Sequence, residues 1–338
     1  MRKILKSLAV YVLMAASAQA AESPSKMNLD DQVLKIFPNV DTKETSEQLE
    51  QLKHDVLIAQ QNSITVQFLL QYSAMVKMNT VNFPSGPLLI PGYVFTPVKM
   101  DSGKKHPAIV LVHGGFHQHF NADWFTTVVD LVQHGYVVMF PEYRGSQGYG
   151  AQIYKNDYGT TDVADTLAAA EYIAGKSYVD SSRLGIVGES RGGMVTLLAI
   201  QQAPERFKVA VDVVGLTDFV AYMAYKPEWR RQEVAKESAG FKGQLPDTNL
   251  TAYMKVSPIN YVEKIKTPLL VVATTGDEIA PLALHTGRLL EALKAHDKVF
   301  ESKIYDNAPG GHTFLRGDTK ESEDGHKRIV AWLDKYLK

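Results

Sequence analysis

A chain of 338 residues without a single cysteine excludes disulfide scaffolding, thiolate catalysis and Cys-ligated zinc. Its charge is nearly balanced, 36 Lys+Arg against 37 Asp+Glu, and no Lys/Arg cluster stands out, so no nucleic-acid partner is expected. Stability must come from an apolar core, which a chain this long with 45% hydrophobic residues can supply.

Residues 1–20 read as a targeting segment rather than as structure. Arg2, Lys3 and Lys6 make a positive start, Leu8 to Ala16 an apolar stretch, and Ala18-Gln19-Ala20 a small-residue cleavage site. The apolar run is too short to span a bilayer, and no stop-transfer segment follows it. A cleavable signal peptide cut after Ala20 is therefore expected, giving a periplasmic or secreted protein with no membrane association once it is removed. Cleavage would take three of the 36 basic residues and none of the 37 acidic ones, leaving a mildly acidic chain.

Residues 21–81 form a second region. From Ser23 to Met78 the chain is polar, rich in Gln and Glu and free of glycine. Leu49, Leu52, Val56, Leu57, Val66, Leu69 and Leu70 recur near helical spacing, which predicts one or two helices. These would cap an active site, build a dimer contact or pack on the outside of the body that follows.

From Asn82 the texture changes. Pro84, Pro87, Pro91 and Pro97 punctuate short apolar runs, as in an antiparallel lead-in to a sheet. Ala108–Val112, Tyr136–Phe140, Leu184–Val187, Val209–Val214, Leu269–Val272 and Phe300–Tyr305 read as buried strands. Helical stretches near Trp124–His134, Asp162–Ala174, Met194–Ala203, Ala283–Ala295 and Glu323–Leu337 alternate with them. This alternation predicts an α/β fold over 82–338, a mostly parallel sheet with helices on both faces.

The most informative segment is Gly188-Glu189-Ser190-Arg191-Gly192. An apolar run precedes it and a long apolar stretch follows, so Gly-x-Ser-x-Gly falls on a strand–turn–helix, the context of a nucleophile elbow in an α/β-hydrolase. A serine hydroxyl needs a base, usually a histidine held by a carboxylate. In the α/β-hydrolase the order is Ser, acid, His. Asp277 follows the Leu269 strand, and His312 follows the Phe300 strand in Pro309-Gly310-Gly311-His312, where the paired glycines suit a mobile loop. Glu278, Asp212 and Asp218 are competing carboxylates, whereas His285, His296 and His326 read as surface residues of helical stretches. Oxyanion donors are expected from the N–H of Arg191 and from the loop His113-Gly114-Gly115-Phe116, with Gly115 first and Gly114 second. His113, His117 and His119, with Asp123, offer a competing metal reading, but the spacing matches no metal-ligating motif.

Further segments resemble the catalytic domain of the prolyl oligopeptidase family of serine peptidases, in its acylaminoacyl-peptidase and dipeptidyl-aminopeptidase branch. They are Leu89 to Pro97, the His113-Gly114-Gly115 loop, Tyr143-Arg144-Gly145-Ser146, the elbow with its second glycine Gly193, Ser257 to Tyr261 with Lys264 to Pro268, and Asp277-x-x-Ala280-Pro281. The likeness covers about residues 82–338 and implies a triad of Ser190, Asp277 and His312. The chain departs from the family pattern in three places. Helical residues stand where a β-propeller is usual, Ala273-Thr274 replaces His-Gly, and Glu142 replaces Asn or Asp.

Phe219, Tyr222, Tyr225 and Trp229 recur at nearly helical spacing and either wall a pocket or pack on the body. Phe116, Tyr143, Tyr222 and Trp229 are the candidates for substrate contact. Glu142, Arg144, Glu189 and Arg191 either bind a charged substrate end or pair with one another. The sequence thus predicts an exported serine hydrolase, peptidase-like, that cleaves short peptides or blocked amino acids and requires no cofactor. A carboxylesterase acting on small acyl esters or acylated sugars is the alternative, and a catalytically silent binding protein a third reading.

Overall fold

The computed structural model describes residues 45–101 and 103–338. The expected signal peptide lies outside the described residues. The chain divides into two units, Met1–Asp55 and Val56–Lys338. Of the first, the opening turns of helix α1 (Thr45–Tyr72) are described; the second holds the remainder of that helix and the sheet.

β1 (Val76–Ser85) and β2 (Leu88–Pro97) form an antiparallel hairpin, and β2 pairs antiparallel with β4 (Val137–Pro141). β3 (His106–Val112), β5 (Val179–Glu189), β6 (Val209–Val213), β7 (Leu269–Thr274) and β8 (Phe300–Tyr305) run parallel with β4. The order is β1-β2-β4-β3-β5-β6-β7-β8. The expected α/β architecture is thus present. β3 shows why its residues form a strand: a run of apolar, mostly β-branched side chains suits an element covered on both faces. Ala108, Val110 and Val112 enter one core, while Ile109 and Leu111 enter the other.

The first core is covered by α4 (Thr161–Ala174), α5 (Arg191–Gln202) and α9 (Thr286–Ala295), through residues such as Ile173, Leu197 and Leu289. The second is covered by α2 (Phe125–Gln133) and α10 (Lys320–Leu337), through Val128, Ile329 and Leu333. A short α3 (Ala151–Tyr154) lies between β4 and α4. Between β6 and β7 come α6 (Phe219–Tyr225), α7 (Glu228–Glu237) and α8 (Pro246–Lys255).

The N-terminal boundary differs from expectation. β1 begins at Val76, so the sheet starts ahead of residue 82. As an edge strand, β1 alternates buried and exposed positions, and its polar members Lys77, Asn79 and Thr80 blend into the polar helix before it. The packed face of α1 also differs. Phe68 is fully buried against Phe95, Phe120 and Phe125, with ring centroids 5.2, 5.8 and 5.0 Å away. Ile64 and Tyr72 flank it on the same face. Val66, Leu69 and Leu70, from the predicted stripe, are exposed.

Candidate active site

β5 leads directly into Ser190 and then α5. Ser190 has φ 60° and ψ −121°, a region that non-glycine residues rarely occupy. The turn is held by the N–H of Ser190 donating to the Val213 carbonyl at 2.8 Å. Its sharpness demands glycines. A Cβ on Gly188 would lie 2.1 Å from the Gly192 carbonyl oxygen, and one on Gly192 would lie 2.2 Å from that of Val112. Both obstacles are backbone and cannot swing aside. Gly188→Ala should therefore destabilise by about 3 kcal/mol or more, lowering Tm by roughly 10 °C. An unchanged melting curve would overturn this reading of the turn.

Ser190, His312 and Asp277 come from the C-terminal ends of β5, β8 and β7, and side-chain hydrogen bonds join them in a line. The Ser190 hydroxyl lies 2.7 Å from His312 Nε2, and His312 Nδ1 lies 2.7 Å from Asp277 Oδ2. A carboxylate accepts, so the tautomer with the proton on Nδ1 donates to Asp277 and leaves Nε2 to accept from the Ser190 hydroxyl. Asp277 is aimed by its own turn: Oδ1 accepts the N–H groups of Ile279 and Ala280, both at 2.8 Å. The His312 loop is not the free loop its glycines suggest. Gly310 and Gly311 adopt φ 94° and 51°, and a Cβ on Gly311 would lie 3.0 Å from the Gly276 carbonyl. The loop is stitched to β7, with Ala308 N–H donating to Thr274 Oγ1 at 2.9 Å and Asn307 N–H to Thr275 Oγ1 at 2.8 Å. Thr274, a departure noted in the sequence, supplies one of these acceptors.

The loop after β3 lies against the elbow. Gly115 has φ 71° and lines the cavity beside Ser190. The Arg191 side chain fixes this loop from beneath: Nη1 donates to the Gly115 and Phe116 carbonyls at 3.1 and 2.9 Å, and Nη2 pairs with Asp162 at 2.6 Å. The guanidinium is fully buried, so it does not meet substrate. Gly114 sits behind the elbow, where a Cβ would lie 2.9 Å from the Glu189 carbonyl, and it does not line the cavity.

Three other sequence readings are corrected. Tyr143 does not reach the cavity: it is fully buried, stacks on His113 at 4.2 Å and donates its hydroxyl to the His113 carbonyl at 2.6 Å. The four charged residues do not pair with one another. Arg144 binds Asp165, Glu189 binds Arg316, and Glu142 accepts from the Phe120 N–H at 2.7 Å. Burial pushes Glu142 up to about 8 and His113 down to about 3, so a carboxylic acid and a neutral imidazole face each other at 3.7 Å. His285 is fully buried rather than superficial, with Nε2 2.8 Å from the Tyr225 hydroxyl. His296 is exposed, and His326 is half-buried with Nε2 3.0 Å from the Leu315 carbonyl.

The clustered histidines diverge. His113 bonds Ser146 and the Gly114 carbonyl, His117 the Gly145 carbonyl, and His119 the Phe120 carbonyl. Among the described residues, no group of His, Asp and Glu side chains converges as a metal-holding set.

A cavity of about 440 Å³ opens beside Ser190 and His312. Phe116, Tyr222 and Trp229 line it, joined by Leu216, Lys226, Arg230, Ile279 and Arg316, which the sequence reading missed. Lys226-Pro227 interrupts the helix between α6 and α7, and the aromatic repeat already divides its labour within α6. Phe219 packs inward on Phe241 and Tyr253, while Tyr222 and Trp229 face the cavity.

The strand order, the elbow and the Ser–His–Asp line define an α/β-hydrolase. Residues 121–338 match the Prolyl oligopeptidase family, Peptidase_S9, and the chain belongs to that family. The acylamino-acid-releasing enzyme of Arabidopsis thaliana is 29% identical over 258 residues, 73% of this chain and 32% of that protein. Its Homo sapiens counterpart is 28% identical over 247 residues, 68% of this chain and 31% of its own length. The chain thus spans about a third of the length of these curated relatives. Among solved structures, acylaminoacyl peptidase of Pyrococcus horikoshii superposes with a TM-score of 0.67 at 24% identity, covering 80% of this chain and 43% of that one. A puromycin-hydrolyzing peptidase of Mycobacterium tuberculosis gives a TM-score of 0.66 at 24% identity over 77% of this chain and 39% of its own. At that identity the structural likeness speaks for the fold.

Proposed function

We propose that the protein is an exported serine peptidase that cleaves short peptides or blocked amino acids, with Ser190, His312 and Asp277 as its triad. The observation that carries this reading is the unbroken hydrogen-bonded line from Ser190 to Asp277 at the mouth of an aromatic cavity. Ser190 Oγ attacks the scissile carbonyl carbon while its proton passes to His312 Nε2. The oxyanion faces the N–H groups of Arg191 and Gly115. Collapse breaks the C–N bond, and His312 returns the proton to the departing amine. Water then attacks the acyl-Ser190 ester with His312 again as base, releasing the acid and restoring the serine. Asp277 holds the imidazole by its Nδ1 and steadies the imidazolium. Relatives named for releasing acylamino acids support acylated substrates, and the leader-like residues 1–20 support export.

The test compares turnover of aminoacyl and acylaminoacyl p-nitroanilides with p-nitrophenyl acyl esters, for wild type and Ser190→Ala. Ser190-dependent anilide cleavage is expected. Ester cleavage alone would move the assignment to a carboxylesterase, and silence on both would favour the binding-protein reading.

A further inference from the structure

Lys226, Arg230 and Arg316 bring three cationic side chains to the cavity wall, and among the described residues no Asp or Glu lines it. Two are already neutralised from behind. Arg230 lies 2.5 Å from Glu233, and Arg316 lies 2.5 Å from Glu189 and 2.8 Å from Asp123. Lys226 is different: among the described residues, no carboxylate lies within ion-pair distance of it. Its ammonium sits 4.7 Å from the ring centroids of both Tyr222 and Tyr225 and 3.4 Å from the Ile279 carbonyl oxygen. Tyr222 and Ile279 are themselves cavity walls, so the charge is held at the surface a substrate would touch. Burial first, and then the neighbouring Arg230, hold this amine below the ordinary lysine value, against the opposing attraction of the Asp277 carboxylate. A partly desolvated cation with only ring faces and one long carbonyl contact has unused capacity for an anion.

We propose that Lys226 makes this cleft an anion subsite, and that its substrates are peptides or acylamino acids with a carboxylate in the portion the cavity holds. The inference rests on the peptidase reading above and names the substrate class of that same site. The carboxylate has two chemical sources, an acidic side chain on the acyl side or a free α-carboxylate on the leaving side.

Two substrate pairs separate these sources. Acyl-Glu against acyl-Gln p-nitroanilide reports the acyl side, since the anilide leaving group carries no carboxylate. An acyl-dipeptide with a free C-terminus against its C-terminal amide reports the leaving side. In at least one pair, kcat/KM is expected to favour the charged member by about tenfold at low salt, with the preference shrinking as salt rises. Lys226→Met should abolish the preference, Lys226→Glu should reverse it, and Lys226→Arg should keep it. Because each readout is a ratio within one variant, it is independent of how much of that variant folds. The proposal is overturned if neither pair discriminates, or if the preference survives in Lys226→Met, while turnover remains Ser190-dependent. Absence of Ser190-dependent turnover on all four substrates would overturn the peptidase reading, and this proposal with it.

Discussion

Ser190→Ala is expected to lower kcat by at least about 10⁴-fold while leaving the fold intact. The substitution removes one oxygen atom from a site that is already small and mostly buried, so little packing changes. Strain at φ 60° is a property of the turn and persists with alanine. What is lost is the atom that, in the proposed mechanism, forms the acyl-enzyme, and that lies 2.7 Å from His312 Nε2. Residual turnover would come from the oxyanion donors and binding alone. Because the three residues act as a unit, His312→Ala should cost about as much, and the double variant little more than either single one. Steady-state kinetics on the best anilide, with circular dichroism as the fold control, gives the result. A Ser190→Ala enzyme keeping more than about 1% of wild-type kcat would remove the serine from the chemistry.

The elements that were legible before the structure are those governed by local physics. Ala108–Val112 of β3, Leu184–Val187 of β5 and Leu269–Ala273 of β7 are continuous apolar runs, and β6 is broken by Asp212 alone, because parallel strands covered on both faces leave little polar alternation to confuse the reading. Ser190 directly follows β5 in its glycine motif, Asp277 comes three residues after β7, and His312 comes seven residues after β8, so chain order pointed to all three. What escaped was set by partners distant in sequence. β1 was hidden because an edge strand alternates polar and apolar side chains. The face of α1 was misassigned because Phe68 owes its burial to Phe95, Phe120 and Phe125, which no helical periodicity can reveal. Sequence alone offers Arg191 and Glu189 as contacts for a charged substrate end or as partners among the neighbouring charges, whereas Asp162 and Arg316 bind them across 29 and 127 residues of chain. Tyr143 sits in the resembling Tyr-Arg-Gly-Ser segment, yet its ring stacks on His113 and its hydroxyl holds the His113 carbonyl. A motif marks a position near the site without saying which way its side chain points.

Asp212 carries the other large expected effect. It lies on β6 in register with Gly188, beneath the elbow, and it is fully buried. Glycines make its room: a Cβ on Gly193 or Gly215 would fall 2.2 or 2.0 Å from Asp212 Oδ1. Among the described residues, neither carboxyl oxygen has a hydrogen-bond partner. Desolvation alone pushes this acid from its ordinary 3.8 up to about 7. Its folded-state pKa is thus raised, so between these two values the native state binds a proton that the unfolded chain has released. Unfolding free energy must then fall as pH rises through that window, and level off above it. A rise of that size corresponds to about 4 kcal/mol in full, of which about 3 kcal/mol falls between pH 5 and pH 8. Asp212→Asn removes the titration while keeping the shape. Urea unfolding of both proteins at the two pH values should show the variant gaining about 3 kcal/mol relative to wild type on going to pH 8. An equal stability difference at both pH values would mean that Asp212 ionises normally, and that the pocket formed by Gly193 and Gly215 is wetter or better partnered than its geometry indicates.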